Sequence, residues 1–457
     1  MKDLILDQVR GTRADYLEIR IEESSTSSVN YQGKKLETVQ DSMSFGGCIR
    51  ALVRGGWGFV AFNRLDDMPK KVKAAIEQAE IIGRESAEQS KLAGVPVVQD
   101  IVHANPIVDP RSISLPKKVE LLGKYNDIIL SHHKEMVSSN VRYFDRATKL
   151  YFASSEGAYI EQEKIDMGAN MLAIAQRGSD TQMAMFGVGS TRDFNILVNR
   201  EQAVKEACQA AIEMLDCEPV KGGVYTVIAD PVLAGVFIHE AFGHLSEGDN
   251  VYENKRYQEL MQLGKKFGEK HLSVYDSGLD VGYRGYLKYD DEGVMTEKTY
   301  LIREGELVGR LHSRETAGKM GERPTGSARA ISFRHAPICR MRNTCIENGS
   351  AAFEEMLSGV PLGVHAKLSR GGQTDGEMFT FIAGEAWMIR DGKLAERVKN
   401  VALQGNVFET LKNIDLVGND FRIKDSAGGC GKGGQSPLPV SHGSPHVRIR
   451  NVVIGGI

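Results

Sequence analysis

The stretch Asp230-Pro231-Val232-Leu233-Ala234-Gly235-Val236-Phe237-Ile238-His239-Glu240-Ala241-Phe242-Gly243-His244 decides how the second half of this chain folds. Asp230 and Pro231 form an N-cap and first-turn pair, so a helix starts there. His239 and His244 bracket Glu240, the combination a hydrolytic zinc site needs, but they stand at i and i+5 rather than at the i and i+4 of H-E-x-x-H. At 3.6 residues per turn, five residues rotate a side chain by roughly 140° beyond a full turn, so a regular α-helix would splay the rings apart. A π-type turn, whose hydrogen bonds run from i to i+5, brings them together, and such turns recur at functional sites. The spacing therefore predicts a π-like turn or helix break at Phe242-Gly243, with Gly243 tolerating the distortion or ending the helix.

Just upstream, Pro/Gly punctuation at Cys217-Glu218-Pro219-Val220-Lys221-Gly222-Gly223 ends the helical signals and marks a domain boundary. Residues 224–229 read as a short buried strand feeding the histidine helix. Beyond the helix the chain is rich in strands, with hairpin turns at Glu304-Gly305 and Asp391-Gly392. Before the boundary, Leu17, Ile19 and Ile21 alternate with charged residues as in a half-buried strand, and segments 27–39 and 45–60 continue as strands. Three helices are expected there. Asp67 caps the first, with Pro69 in its first turn; Ser114 and Pro116 open the second; Val204, Ala207, Ala211 and Leu215 mark the third. The expected fold is α+β: an N-terminal mixed sheet-and-helix domain over 1–217, followed by a β-rich metal-binding domain over 218–457.

The 457 residues suffice for more than one core, and a formal net charge of −3 with a pI near 6.4 marks neither a nucleic-acid nor an anionic-membrane binder. The N-terminal Met1-Lys2-Asp3-Leu4-Ile5-Leu6-Asp7 has no apolar stretch long enough for a signal h-region, no run approaches the length of a membrane helix, and six scattered cysteines make no disulfide framework. A soluble protein of a reducing compartment, the cytoplasm, is expected. Cys48, Cys208, Cys339 and Cys345 read as packed thiols.

Metal-assisted hydrolysis needs three protein ligands, an open position and a nearby carboxylate base. His239 and His244 supply two nitrogens, and Glu240 is the natural base. Glu247, Asp249, His442 or His446, and Cys430 are the candidates for the third ligand. Glu247 also suits a partner for a ring N–H, which would fix the histidine tautomer. Cys430 stands in a glycine-rich turn whose backbone N–H groups, with Lys432, would favour a thiolate.

In combination these segments resemble the TldD/PmbA family of metallopeptidases. The matching stretches are residues 239–249 (HEAFGHLSEGD), Tyr289-Asp290-Asp291-Glu292-Gly293, Gly371-Gly372-Gln373-Thr374-Asp375, Val417-Gly418-Asn419-Asp420 and Cys430-Gly431-Lys432-Gly433-Gly434-Gln435-Ser436, in the family's order. The resemblance implies a Zn2+ ion held by His239, His244 and Cys430, with Glu240 as base. It places the chain in the TldD-like catalytic branch, since the PmbA-like branch lacks these residues. It also implies cleavage of short or unfolded peptides, and a heterodimer with a PmbA-like paralogue or a homodimer.

An exposed strand edge near Ser369-Arg370-Gly371-Gly372-Gln373 would hold a peptide by backbone pairing, with Arg370 and Gln373 as contacts. Asp290, Asp291 and Glu292 read as a solvated turn. The alternative to a peptidase is a non-catalytic, metal-stabilised scaffold or regulatory subunit of a TldD/PmbA-type complex. Direct action on gyrase or DNA finds no basic stripe to support it.

Overall fold

The computed structural model describes residues 1–424 and 427–456. The N-terminal part is built on long antiparallel strands. Tyr16–Gln32 lies between Lys35–Val53 and Met136–Ser154, Tyr159–Arg177 follows, and Gly56–Phe62, Gln99–Val102 and Asp180–Ser190 complete a seven-stranded sheet. Alternation places Leu17, Ile19 and Ile21 in the core under the helix Met68–Glu85. The helices Leu115–Ser131 and Glu201–Leu215 bury a second core that includes Leu122, Tyr125, Ile129 and Cys208.

Two expected caps lie at their helix ends without making a cap bond. Asp67 adopts a left-handed conformation with φ 53 in place of the extended one usual for a capping residue, and neither it nor Ser114 makes a side-chain cap bond. Proline at the first turns sets these starts instead.

From residue 218 on, strands form a different arrangement. Leu362–Asp375, Gly223–Ala229, Val447–Gly456, Val401–Asn406 and Met378–Arg390 pair in sequence, and the last pairs back with the first, closing a ring. A separate six-stranded sheet includes Val274–Ser277, Asn343–Ile346 and Ser441–Ser444. The hairpins at Glu304-Gly305 and Asp391-Gly392 both turn through two positive-φ residues, the geometry that matches strand twist. The helix Pro231–Ile238 packs against strands of both sheets, and Phe237 meets Phe379 and Phe381 edge-on at 5.3 and 6.1 Å.

The acidic segment expected to be a solvated turn is buried at the seam between the two halves. Asp290, Asp291 and Glu292 are all sequestered from solvent. Arg50, from the N-terminal sheet, bonds Glu18 at 2.8 Å and Glu292 at 3.1 Å, and Arg20 lies 3.6 Å from Asp291. Asp290 accepts the backbone N–H groups of Glu292, Val294 and Ala328. Buried carboxylates persist only when so compensated. Their arginine partners lie more than two hundred residues away, which no local pattern of charge reveals.

Candidate metal centre

The Asp230 carboxylate accepts the Leu233 amide at 2.8 Å, capping the helix that leads into the site, an interaction of about 1 kcal/mol. The same oxygen accepts the amide of Leu368 at 3.0 Å, where the strand Leu362–Asp375 bulges, so one buried carboxylate ties that strand to the helix. After Ile238 the backbone widens into a π-helical turn over His239–Gly243, then tightens into a 3₁₀ turn over His244–Ser246. This is the departure that the i, i+5 spacing requires. It brings the histidine rings to 5.5 Å between centroids.

Gly243 serves the turn differently from the sequence expectation. Its φ is −57, an ordinary right-handed value open to any residue. A Cβ there would lie 2.0 Å from the Met341 sulfur, inside the core, so close packing selects the glycine. Gly243→Ala is expected to destabilise the fold by about 1–3 kcal/mol through overpacking, read as a lowered denaturant midpoint at unchanged m-value. A neutral substitution would contradict this account.

His239, His244 and Cys430 offer ligand atoms that all lie within 4.8 Å of one another, and they are the one such group among the described residues. Cys430 opens the short hairpin formed by Cys430–Lys432 and Gln435–Leu438. Its sulfur is 3.2 Å from His244 Nε2. The buried Nδ1 of His239 has no hydrogen-bond partner. Tetrahedral zinc, with bonds near 2.0–2.3 Å, separates neighbouring donors by about 3.5 Å, so these residues fit such an ion. Two imidazoles and a thiol suit zinc better than a hard cation.

Glu247 is completely buried and stands behind His244: its Oε2 is 3.0 Å from Nδ1, on the side of the ring away from Cys430. That bond fixes the tautomer that leaves Nε2 free as a donor atom. Burial alone would favour the neutral ring, but the Glu247 charge and the hydrogen bonds that the ring donates to Glu247 and Cys430 outweigh it and raise the His244 pKa well above its usual value, so a metal at Nε2 would have to displace a proton. His239 is shifted the opposite way, chiefly by burial, and stays neutral as a ligand must. Burial also raises the Glu240 pKa from its usual value, while its side chain keeps 32% exposure and its Oε2 sits 3.8 Å from His244 Nε2.

The other candidate ligands stand outside this cluster. Asp249 takes the Lys432 ammonium at 2.5 Å and the Cys339 amide at 3.2 Å. Lys432 also pairs with Glu247 at 3.1 Å, so its charge serves the two carboxylates rather than the Cys430 thiol. His446 bonds Asp420 at 2.6 Å, and the His442 ring centroid is 6.3 Å from that of His239. Burial pushes His442 and His365 down to about 4. Unfolding returns these rings to the usual value near 6.5, where they take up protons that the folded protein refuses. Their stabilisation is therefore complete above pH 6.5 and is lost as pH falls toward 4. For His365, 5% exposed, the loss is about 3 kcal/mol. Urea midpoints for the parent should drop more steeply between pH 7 and 5 than those of His365→Gln, and equal slopes would refute the assignment.

Glu240 and His244 open onto a cleft of about 410 Å³, bordered by Asn250, Tyr257, Gln373 and Thr374. Gln373 thus reaches the site region, whereas Arg370 is exposed on the same strand and does not line the cleft. Residues 367–375 pair on one side with Met378–Arg390, and their other edge has no strand partner among the described residues. Asn250, which donates to the His244 carbonyl at 2.8 Å, carries no sequence signal that marks it, whereas Thr374, whose buried hydroxyl has no partner, lies in one of the family-like stretches, which does not single it out.

A π turn presenting two histidines and a glutamate to a distant cysteine, on a closed strand ring beside an open cleft, defines a class of protein organised around one metal-type donor set. Family models place it. The PmbA/TldA metallopeptidase C-terminal domain matches residues 222–456, domain 1 matches 17–82 and the central domain matches 108–215. The chain belongs to the TldD/PmbA metallopeptidase family. It is 44% identical over 447 residues to a Synechocystis protein named metalloprotease slr0863, covering 97% of this chain and 96% of that one. It is 27% identical over 447 residues to a Saccharolobus solfataricus protein named zinc metalloprotease TldD homolog, covering 97% of each. The fold is that of the crystal structure of TldE from Thermococcus kodakarensis, with TM-score 0.77, 17% identity and full coverage of both chains. No helix among the described residues is long and apolar enough to cross a membrane.

Proposed function

We propose that this chain is a zinc-dependent peptidase that hydrolyses short or unfolded peptides. The observation that carries the reading is the Glu240 carboxylate, about one-third exposed, 3.8 Å from His244 Nε2 and facing the open cleft. His239, His244 and Cys430 hold the metal in this reading, and Glu247 orients His244. Zinc supplies Lewis-acid polarisation of a carbonyl and of a water molecule. Glu240 takes the proton of the attacking water and delivers it to the leaving amine, a role its raised pKa suits. The unpaired edge of residues 367–375 receives the peptide backbone as an added strand, which gives affinity with little sequence selectivity. Gln373 and the Thr374 hydroxyl are placed to contact the peptide there, with Arg370 at the rim.

The partner in this reading is a PmbA-like paralogue or a second copy of the chain, and the compartment is the cytoplasm. A structural zinc site normally has four protein ligands; three donors beside an open cleft favour the catalytic reading over a metal-stabilised scaffold. The test is metal analysis of the purified protein together with cleavage of unfolded peptides, alone and mixed with a PmbA-like partner. One zinc per chain with cleavage is expected. Metal without cleavage in any combination would favour the scaffold.

A further inference from the structure

The cysteine ligand is separated from the histidines by nearly two hundred residues, and it stands in a hairpin of only a few backbone pairs. Such a hairpin is marginal by itself, so something must fix the sulfur relative to the π turn. Arg340 does so by geometry. It is 0% exposed and sends Nη2 to the carbonyl of Cys430 at 2.8 Å and Nη1 to the carbonyl of Gln435 at 3.1 Å. One planar guanidinium therefore grips both strands of the hairpin, and the first of those carbonyls belongs to the ligand residue itself. The Arg340 backbone is anchored in turn, its amide donating to Ser327 at 2.9 Å. The adjacent residue faces the same hairpin: the Cys339 carbonyl accepts from Lys432 at 3.1 Å.

We propose that Arg340 is the positioning residue that presents the Cys430 sulfur to the metal. The inference rests on the reading of Cys430 as a ligand and extends it. A buried guanidinium is retained because its rigid fork matches two carbonyls at once, which a lysine ammonium on a flexible stem does not reproduce. Arg342 is the natural comparator. It is equally buried, but its guanidinium bonds the Gly326 carbonyl at 3.0 and 2.6 Å and, among the described residues, makes no hydrogen bond to the cysteine hairpin.

The test uses the full chain, stripped of metal and reloaded with Co2+, whose thiolate-to-metal absorption band reports the sulfur bond directly. Zinc affinity is measured in parallel by competition with a chelator. Arg340→Lys is expected to weaken the band and lower zinc affinity 10–100-fold, the range for loss of a group supporting a ligand, whereas Arg342→Lys leaves both close to the parent. In a Cys217→Ser background, metal-free Arg340→Lys should also expose Cys430 to a thiol reagent faster than the parent. A full band and parental affinity in Arg340→Lys, or equal losses in Arg342→Lys, would overturn the proposal. A parent that binds Co2+ with no thiolate band would instead overturn the ligand assignment, and the proposal with it. Should Arg340→Lys fail to fold, amide exchange on the parent decides: residues 430–438 must open together with residues 327–342, and independent opening of the hairpin refutes the role.

Discussion

Replacing Glu240 with alanine is expected to lower peptide turnover about 10³-fold, within the range for loss of a general acid–base group, while zinc remains bound at the parental ratio. The two halves of that expectation have separate physical grounds. Glu240 contributes no atom to the cluster of His239, His244 and Cys430, so its removal leaves the donors in place. Its side chain also makes no hydrogen bond among the described residues beyond its approach to His244, and it faces the cleft where a water and a peptide would meet. With Cys430 among the residues that would hold the ion, a thiolate would give it more charge than a third imidazole, and the reaction would depend more on Glu240 as base. Turnover, zinc content and KM should be measured together. Glu240→Ala with substantial cleavage, or with lost zinc, would remove the assigned role; Glu240→Gln, which keeps the shape, should be as inactive as the alanine variant.

The centre of the site was legible because its constraints are local. The i, i+5 spacing of His239 and His244 admits a compact arrangement only through a widened turn, and the backbone adopts one over His239–Gly243. The Asp230-Pro231 start, the alternating strand at Leu17–Ile21 and the helix carrying Cys208 follow from similarly local rules. What sequence could not supply was partnership across the chain. Asp290, Asp291 and Glu292 carry charges that belong on a surface turn unless Arg20 and Arg50 are known to cover them. Gly243 looked like a conformational glycine because its contact, Met341, lies about a hundred residues away. Lys432 beside Cys430 in sequence implied a thiolate partner, yet its side chain spans to Glu247 and Asp249. Arg340 matters only through what the fold sets against it, and composition gives it no distinction.

Cys430→Ser is expected to cost the site its metal, whereas Glu247→Gln keeps it bound with affinity reduced 10–100-fold. The contrast follows from which side of His244 each residue occupies. Cys430 Sγ lies 3.2 Å from Nε2, on the donor side, and a serine hydroxyl there is a hard, weakly acidic oxygen that zinc accepts poorly. Glu247 lies 3.0 Å from Nδ1, on the opposite side, and acts through the ring. A glutamine can still accept the Nδ1 proton, so the tautomer survives. The carboxylate charge that faces Lys432 and raises the His244 pKa does not. Removing that charge lowers the proton affinity of His244, which eases metal loading at mildly acid pH even as it weakens the imidazole as a donor. Glu247→Gln should therefore lose less zinc than the parent, relative to its own value at pH 7.5, when both are brought to pH 5.5. Zinc retention by Cys430→Ser with loss from Glu247→Gln would exchange the two assignments. Parental retention by both would leave the two histidines with a third ligand not drawn from either residue.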